Sequence, residues 1–118
     1  MWDMAAGLSD AMIERLAAHY SAQRPMPGSA QDPTEVAAGR NIYQQGISGK
    51  IPPCSTCHGV KAEGAGTRPR LAGQHPLSLE RQLAYFTART RTGGMMHQES
   101  MNLTDQQIKV LSVYLAAQ

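Results

Sequence analysis

The chain has 118 residues, a formal charge of +2 from 11 Lys and Arg against 9 Asp and Glu, and only one Phe and one Trp. That length allows one compact domain with an appendage. The basic residues are scattered, which excludes the clustered footprint of a nucleic-acid binder. No run approaches the ~18–20 apolar residues of a membrane span.

The first predicted element is a helix over Leu8–Gln23, with Ser9 as N-cap and Met12, Ile13, Leu16, Ala17 and Tyr20 at helical spacing. Residues 24–34, with Arg24-Pro25-Met26-Pro27-Gly28-Ser29, break all periodicity and read as a linker. A second helix begins at Asp32-Pro33-Thr34-Glu35, where Asp32 caps, Pro33 suits the first position and Glu35 gives a capping-box-like arrangement. It carries Val36, Gly39, Ile42 and Tyr43 and stops near Gln45-Gly46. The segment from Gly59 to Gly73 is rich in Gly and Pro and reads as loop.

A third helix is expected from Leu77 to Arg91, with Leu79, Leu83 and Phe86 on one face and Gly93-Gly94 ending it. The Met-rich piece from Met95 to Met101 reads as non-helical. Thr104, with Gln107 three residues on, caps a last helix whose buried stripe is Ile108, Leu111, Tyr114 and Leu115. No stretch reads as a strand, so the fold class is all-α.

The ends of the chain repeat each other. Setting residues 1–23 on residues 96–118 without a gap makes seven positions identical, among them Met1/Met96, Leu8/Leu103, Asp10/Asp105, Ile13/Ile108 and Leu16/Leu111. Two similarly capped amphipathic helices can coincide by chance. The sharper reading makes residues 1–23 the tail of a preceding domain of the same kind as residues 35–118.

Both cysteines of the chain fall in Cys54-Ser55-Thr56-Cys57-His58, a C-x-x-C-H run. That spacing lets two thiols add to the two vinyl groups of a porphyrin and sets an imidazole under the iron, as in a c-type haem. Half a zinc site and a redox dithiol are the competing readings. Zinc needs two more ligands, and His75 and His97 stand 22 residues apart instead of as an H-x3-5-H pair. A dithiol of the thioredoxin kind needs βαβ patterning, which the flanks lack. A buried haem also explains the shortage of large aromatic side chains, because it supplies core volume.

An iron held by one histidine is open on its far side or closed by a second side chain. A methionine thioether is soft, neutral and raises the reduction potential. Met95, Met96 and Met101 cluster 37 to 43 residues after His58, where a segment can cross the opposite ring face. Methionine is more often flexible core filler, a role less expected in a loop.

The chain resembles a class I cytochrome c, specifically the C-terminal domain of the bacterial diheme cytochromes of the c-four group or a single-haem relative. The resemblance runs through Gly39-Arg40-Asn41-Ile42-Tyr43, Ile51-Pro52-Pro53-Cys54, Pro69-Arg70-Leu71-Ala72-Gly73-Gln74, Arg81-Gln82-Leu83, Met95-Met96 and Leu103-Thr104-Asp105. It implies three to four main helices around one covalent haem c, here with an extra N-terminal helix. It implies Met96, seven residues before Leu103, as the distal ligand opposite His58, with Met95 as runner-up. It further implies that the Pro69 carbonyl accepts the Nδ1 proton of His58, and that Gly39 and Tyr43 meet Tyr114 and Leu115 where the terminal helices cross. Arg70, with Arg68, Arg89 and Arg91, is a candidate for steadying haem propionates. His19, His75 and His97 read as surface histidines. The departure from the diheme pattern is a missing first C-x-x-C-H.

The function implied is electron transfer, without catalysis. One haem with His/Met ligation would shuttle single electrons, through the Cys54/Cys57 edge, between a quinol-oxidising complex or dehydrogenase and a terminal oxidase or reductase. The resemblance also implies a bacterial periplasmic location, although the N-terminus shows no charged region followed by an apolar one. The leader would then have been removed, or the chain would begin inside a longer precursor. Two alternatives are a cytochrome subunit or fused module of a larger respiratory or dehydrogenase complex, and a five-coordinate haem sensor or peroxidase.

Overall fold

A computed structural model describes residues 2–24 and 32–118. Met1, and with it the first pairing of the repeat, lies outside the described residues, as do residues 25–31 of the expected linker. Among the described residues the chain forms helices α1 (Trp2–Ala5), α2 (Asp10–Ser21), α3 (Pro33–Gln45), α4 (Ser55–His58), α5 (Pro76–Thr87), α6 (Gly94–Ser100) and α7 (Asp105–Ala116). No strand forms among them, and pairing is confined to the isolated bridges Ile47/Ile51 and Ala65/Arg68.

Helix α3 starts where its capping chemistry requires, because the Asp32 carboxylate accepts the Thr34 N–H at 2.8 Å. Glu35, expected to complete a capping box, instead forms an ion pair with Lys109 of α7 at 2.7 Å. Helix α7 has the full reciprocal cap: Thr104 Oγ1 accepts the Gln107 N–H and Gln107 Oε1 accepts the Thr104 N–H. Its buried side extends beyond the expected four residues to include Val110, Ser112, Val113 and Ala116. The cause is packing on two flanks, since α7 contacts both α3 and α5.

The α3–α7 crossing is close because Gly39 has no side chain. A Cβ there would lie 2.0 Å from the Val110 carbonyl oxygen and 2.7 Å from Tyr114 Cβ. One turn on, the Tyr43 ring sits 5.4 Å from the Tyr114 ring at an interplanar angle of 45°. Tyr43, Tyr114, Leu111 and Leu115 form one cluster with Leu79, Ala62 and Ala72.

Helix α5 ends at Thr87, four residues before the expected stop at Arg91. Arg89 turns the chain into the left-handed region with φ 58°, and the Thr90 and Arg91 N–H groups both donate to the Tyr85 carbonyl. That closure satisfies the helix end without the glycines. Gly93 instead abuts the Phe86 ring. The methionine segment read as non-helical is largely α6. Its turn is fixed by the His97 N–H to the Gly93 carbonyl at 2.9 Å, and by Ser100 Oγ to the Met96 carbonyl at 2.6 Å.

The terminal repeat is structural as well as sequential. Helices α2 and α7 occupy the same 12 positions at an offset of 95 residues. Their caps correspond: Ser9 Oγ accepts from Met12 N–H as Thr104 Oγ1 does from Gln107 N–H. The link before each helix also corresponds, Leu8 N–H to the Ala5 carbonyl matching Leu103 N–H to the Ser100 carbonyl. Burial does not correspond. Ile13 and Leu16 are 49% and 41% exposed, whereas their counterparts Ile108 and Leu111 are 5% and 2% exposed.

Candidate haem-binding site

The C-x-x-C-H run forms a single helical turn, α4, held by local bonds from the Cys57 and His58 N–H groups to the Cys54 carbonyl. The two cysteines form no disulfide with each other. Burial pushes the Cys54 thiol up to about 11, and the side chain packs against the main core cluster. Gly59, at φ 85°, then turns the chain sharply behind His58.

His58 is buried, and its Nδ1–H donates to the Pro69 carbonyl at 2.9 Å. A carbonyl can only accept, so Nδ1 carries a proton, and in the neutral imidazole Nε2 is then the nitrogen that can donate to iron. The loop that brings Pro69 there is braced at Ala62, whose carbonyl accepts the Leu71 and Ala72 N–H groups at 2.9 and 3.0 Å. The His58 carbonyl itself accepts the Gly64 N–H at 2.8 Å.

Of the three candidate methionines, Met95 and Met101 are 60% and 52% exposed, and Met96 is half-buried. Arg70 is exposed, and its carbonyl accepts from Gln74 Nε2. The Arg91 guanidinium lies 4.6 Å over the Phe86 ring and donates to Gln82, so it already has partners. His97, read as a surface residue, is half-buried and donates from Nδ1 to the Phe86 carbonyl at 2.7 Å, joining α6 to α5. No sequence signal marked that bond, nor the one from the Tyr43 hydroxyl to the Gly59 carbonyl at 2.6 Å.

This donor set fits an iron porphyrin. Two cysteines share one helical turn with a histidine whose Nδ1 is engaged by a carbonyl, which leaves Nε2 as the nitrogen that could face a metal. Apolar, half-buried Leu71, Leu83 and Leu103 flank the core cluster as a porphyrin face requires. Zinc has no comparable set, because among the described residues no three His, Cys, Asp or Glu side chains come together. Nor is any helix among those residues long and apolar enough to cross a membrane.

Residues 34–115 match the protein family described as cytochrome c oxidase, cbb3-type, subunit III. The chain is 39% identical to cytochrome c-552 of Acidithiobacillus ferridurans, over 99% of this chain and 52% of that protein. It is 37% identical to a thiosulfate dehydrogenase electron acceptor of Thiomonas intermedia, over 100% of this chain and 58% of that protein. It thus spans little more than half the length of these relatives. The structure of cytochrome c4 from Acidithiobacillus ferrooxidans superimposes with a TM-score of 0.87 at 38% identity, covering 100% of this chain and 71% of that one. The helices of the present chain follow the class I cytochrome c fold, and Cys54-Ser55-Thr56-Cys57-His58 is a two-cysteine site of the c-type spacing. The chain therefore belongs to the cytochrome c family and carries one covalently bound haem c.

Proposed function

We propose that the chain is a single-electron carrier in which Cys54 and Cys57 hold the porphyrin by thioether bonds, while His58 Nε2 and the Met96 sulfur close the two faces of the iron. The haem, when bound, supplies a one-electron Fe(III)/Fe(II) couple. The observation that carries the reading is the His58 Nδ1–H bond to Pro69, which orients the imidazole and strengthens it as a donor. Met96 is favoured over Met95 by its partial burial and by the bond that ties its carbonyl to Ser100. With both faces closed the iron would offer no open position for a substrate, which is the arrangement of a carrier and not of a catalyst. Arg70 is a candidate contact for a propionate.

The test is to replace Met96 and Met95 separately by alanine and follow the Fe–S(Met) charge-transfer band of the oxidised protein. Loss in Met96→Ala alone agrees with the assignment, and loss in Met95→Ala alone moves the ligand by one residue. Rapid, tight carbon monoxide binding by the reduced wild type would refute six-coordination and favour the sensor or peroxidase reading.

The partners proposed are redox proteins, meeting at the Cys54/Cys57 edge through small transient interfaces. A dehydrogenase as donor is favoured by the relative described as accepting electrons from thiosulfate dehydrogenase. A quinol-oxidising complex is the other donor class, and a terminal oxidase or reductase is the acceptor. We place the chain in the bacterial periplasm on the resemblance to its relatives. A second reading, as a module of a larger cytochrome or respiratory complex, is favoured by α1–α2 repeating the α6–α7 arrangement with an uncovered apolar face. In that reading residues 1–23 are the tail of a preceding domain, residues 24–34 the linker and residues 35–118 the haem domain. Gel filtration of the protein from its native source, with a haem-to-protein ratio, distinguishes a lone carrier from such a module.

A further inference from the structure

We infer that the Tyr43 hydroxyl is a positioning group for the haem-facing histidine, acting through the backbone of the loop behind it. This inference rests on His58 being the iron ligand. Tyr43 is completely buried, on the third turn of α3, yet its hydroxyl reaches across the fold to donate to the Gly59 carbonyl at 2.6 Å. Gly59 follows His58 directly and takes the left-handed φ that only glycine adopts freely. The same carbonyl accepts the Ala62 N–H at 3.1 Å. The carbonyl of Ala62 in turn accepts the Leu71 and Ala72 N–H groups, the residues that follow Pro69-Arg70.

One hydroxyl therefore anchors a continuous set of bonds from α3, through Gly59 and Ala62, to the segment that offers the Pro69 carbonyl to His58 Nδ1. The ring carrying it is wedged against Tyr114 at the α3–α7 crossing, and Gly39 one turn earlier brings the two helices within reach. Removing the hydroxyl leaves the ring and the crossing in place. It leaves Gly59 with one donor in place of two and loosens the strap that carries Pro69. A longer His58–Pro69 bond makes the imidazole a weaker donor, which favours the ferrous iron and raises the reduction potential.

The experiment compares haem-loaded wild type, Tyr43→Phe and Tyr114→Phe. The second variant deletes a hydroxyl from the same ring pair but away from the loop. Two quantities are read: the exchange rate of the His58 Nδ1 proton in the reduced protein by NMR, and the midpoint potential. Tyr43→Phe is expected to speed Nδ1 exchange at least tenfold and shift the potential positive, with Tyr114→Phe at wild-type values for both. Equal behaviour of the two variants, or Nδ1 exchange unchanged in Tyr43→Phe, overturns the inference. Should Tyr43→Phe fail to mature, wild-type exchange under graded denaturant decides. A shared opening of the Ala62, Leu71, Ala72 and Nδ1 protons, below global unfolding, supports the strap, and independent opening of Nδ1 refutes it. Failure of the histidine assignment itself has a separate signature, since the Nδ1 proton would then lack the ring-current shift of a haem ligand.

Discussion

The closest helix contact makes Gly39→Ala the sharpest test of the fold. The new Cβ would lie 2.0 Å from the Val110 carbonyl oxygen. A carbon and a carbonyl oxygen settle at about 3.3 Å, so the shortfall is about 1.3 Å. The obstacle is backbone in the middle of α7, which cannot swing aside as a side-chain tip would. Relief requires α3 and α7 to move apart, which loosens the Tyr43–Tyr114 contact as well. Overpacking of this kind costs about 3 kcal/mol at the upper end of its usual range. Alanine recovers about 1 kcal/mol over glycine as a helix former. The net loss expected is about 2 kcal/mol. Guanidinium unfolding of the haem-loaded protein, followed by far-ultraviolet circular dichroism, should show the midpoint falling by about 0.5 M at a typical slope of about 4 kcal/mol per molar. A midpoint equal to or above wild type would mean that the helices do not cross at Gly39.

Three further outcomes follow from particular side chains. Leu111→Ala should destabilise the protein by about 2–5 kcal/mol as a core truncation, whereas Leu16→Ala, at the matching position of α2, should change stability by less than about 0.5 kcal/mol in the same unfolding assay. Among the described residues buried Ser112 Oγ has no hydrogen-bond partner, so Ser112→Ala should be neutral or stabilising by up to about 1 kcal/mol, and a clear loss of melting temperature would reveal a partner for that hydroxyl. The Thr34 N–H holds the Asp32 carboxyl below its usual value, so the carboxylate contributes stability above an unfolded pKa of about 3.9, and that contribution disappears as pH falls through the lower folded value. Asp32→Asn keeps a cap but cannot titrate, so the melting-temperature gap between it and wild type should change below about pH 4 and stay constant between pH 6 and 8.

The sequence was most readable where chemistry is local. Ser9, Asp32 and Thr104 announce helix starts because a cap is a bond between residues two or three apart, and the structure has all three. The attachment turn was legible for the same reason. The end of α5 was not, because Arg89 occupies a left-handed position that composition assigns to glycine. Helix α6 was hidden by its glycines and by a run of methionines without an apolar period. What ties it to α5 is His97 reaching the Phe86 carbonyl, 11 residues back in the chain. Glu35 was misjudged because its partner, Lys109, is 74 residues away. The unbroken burial of α7 from Val110 to Ala116 likewise depends on two neighbours that no periodicity within α7 can reveal.

The attachment turn and the helix crossing differ sharply in reach. Every backbone bond within Cys54–Gly59 closes over three or four residues, whereas Gly39 meets Val110 across 71 positions of chain. Closing so long a span costs roughly 4 kcal/mol of chain entropy beyond a constant. The turn therefore needs no distant partner to close, and its shape does not wait on the meeting of the two helices.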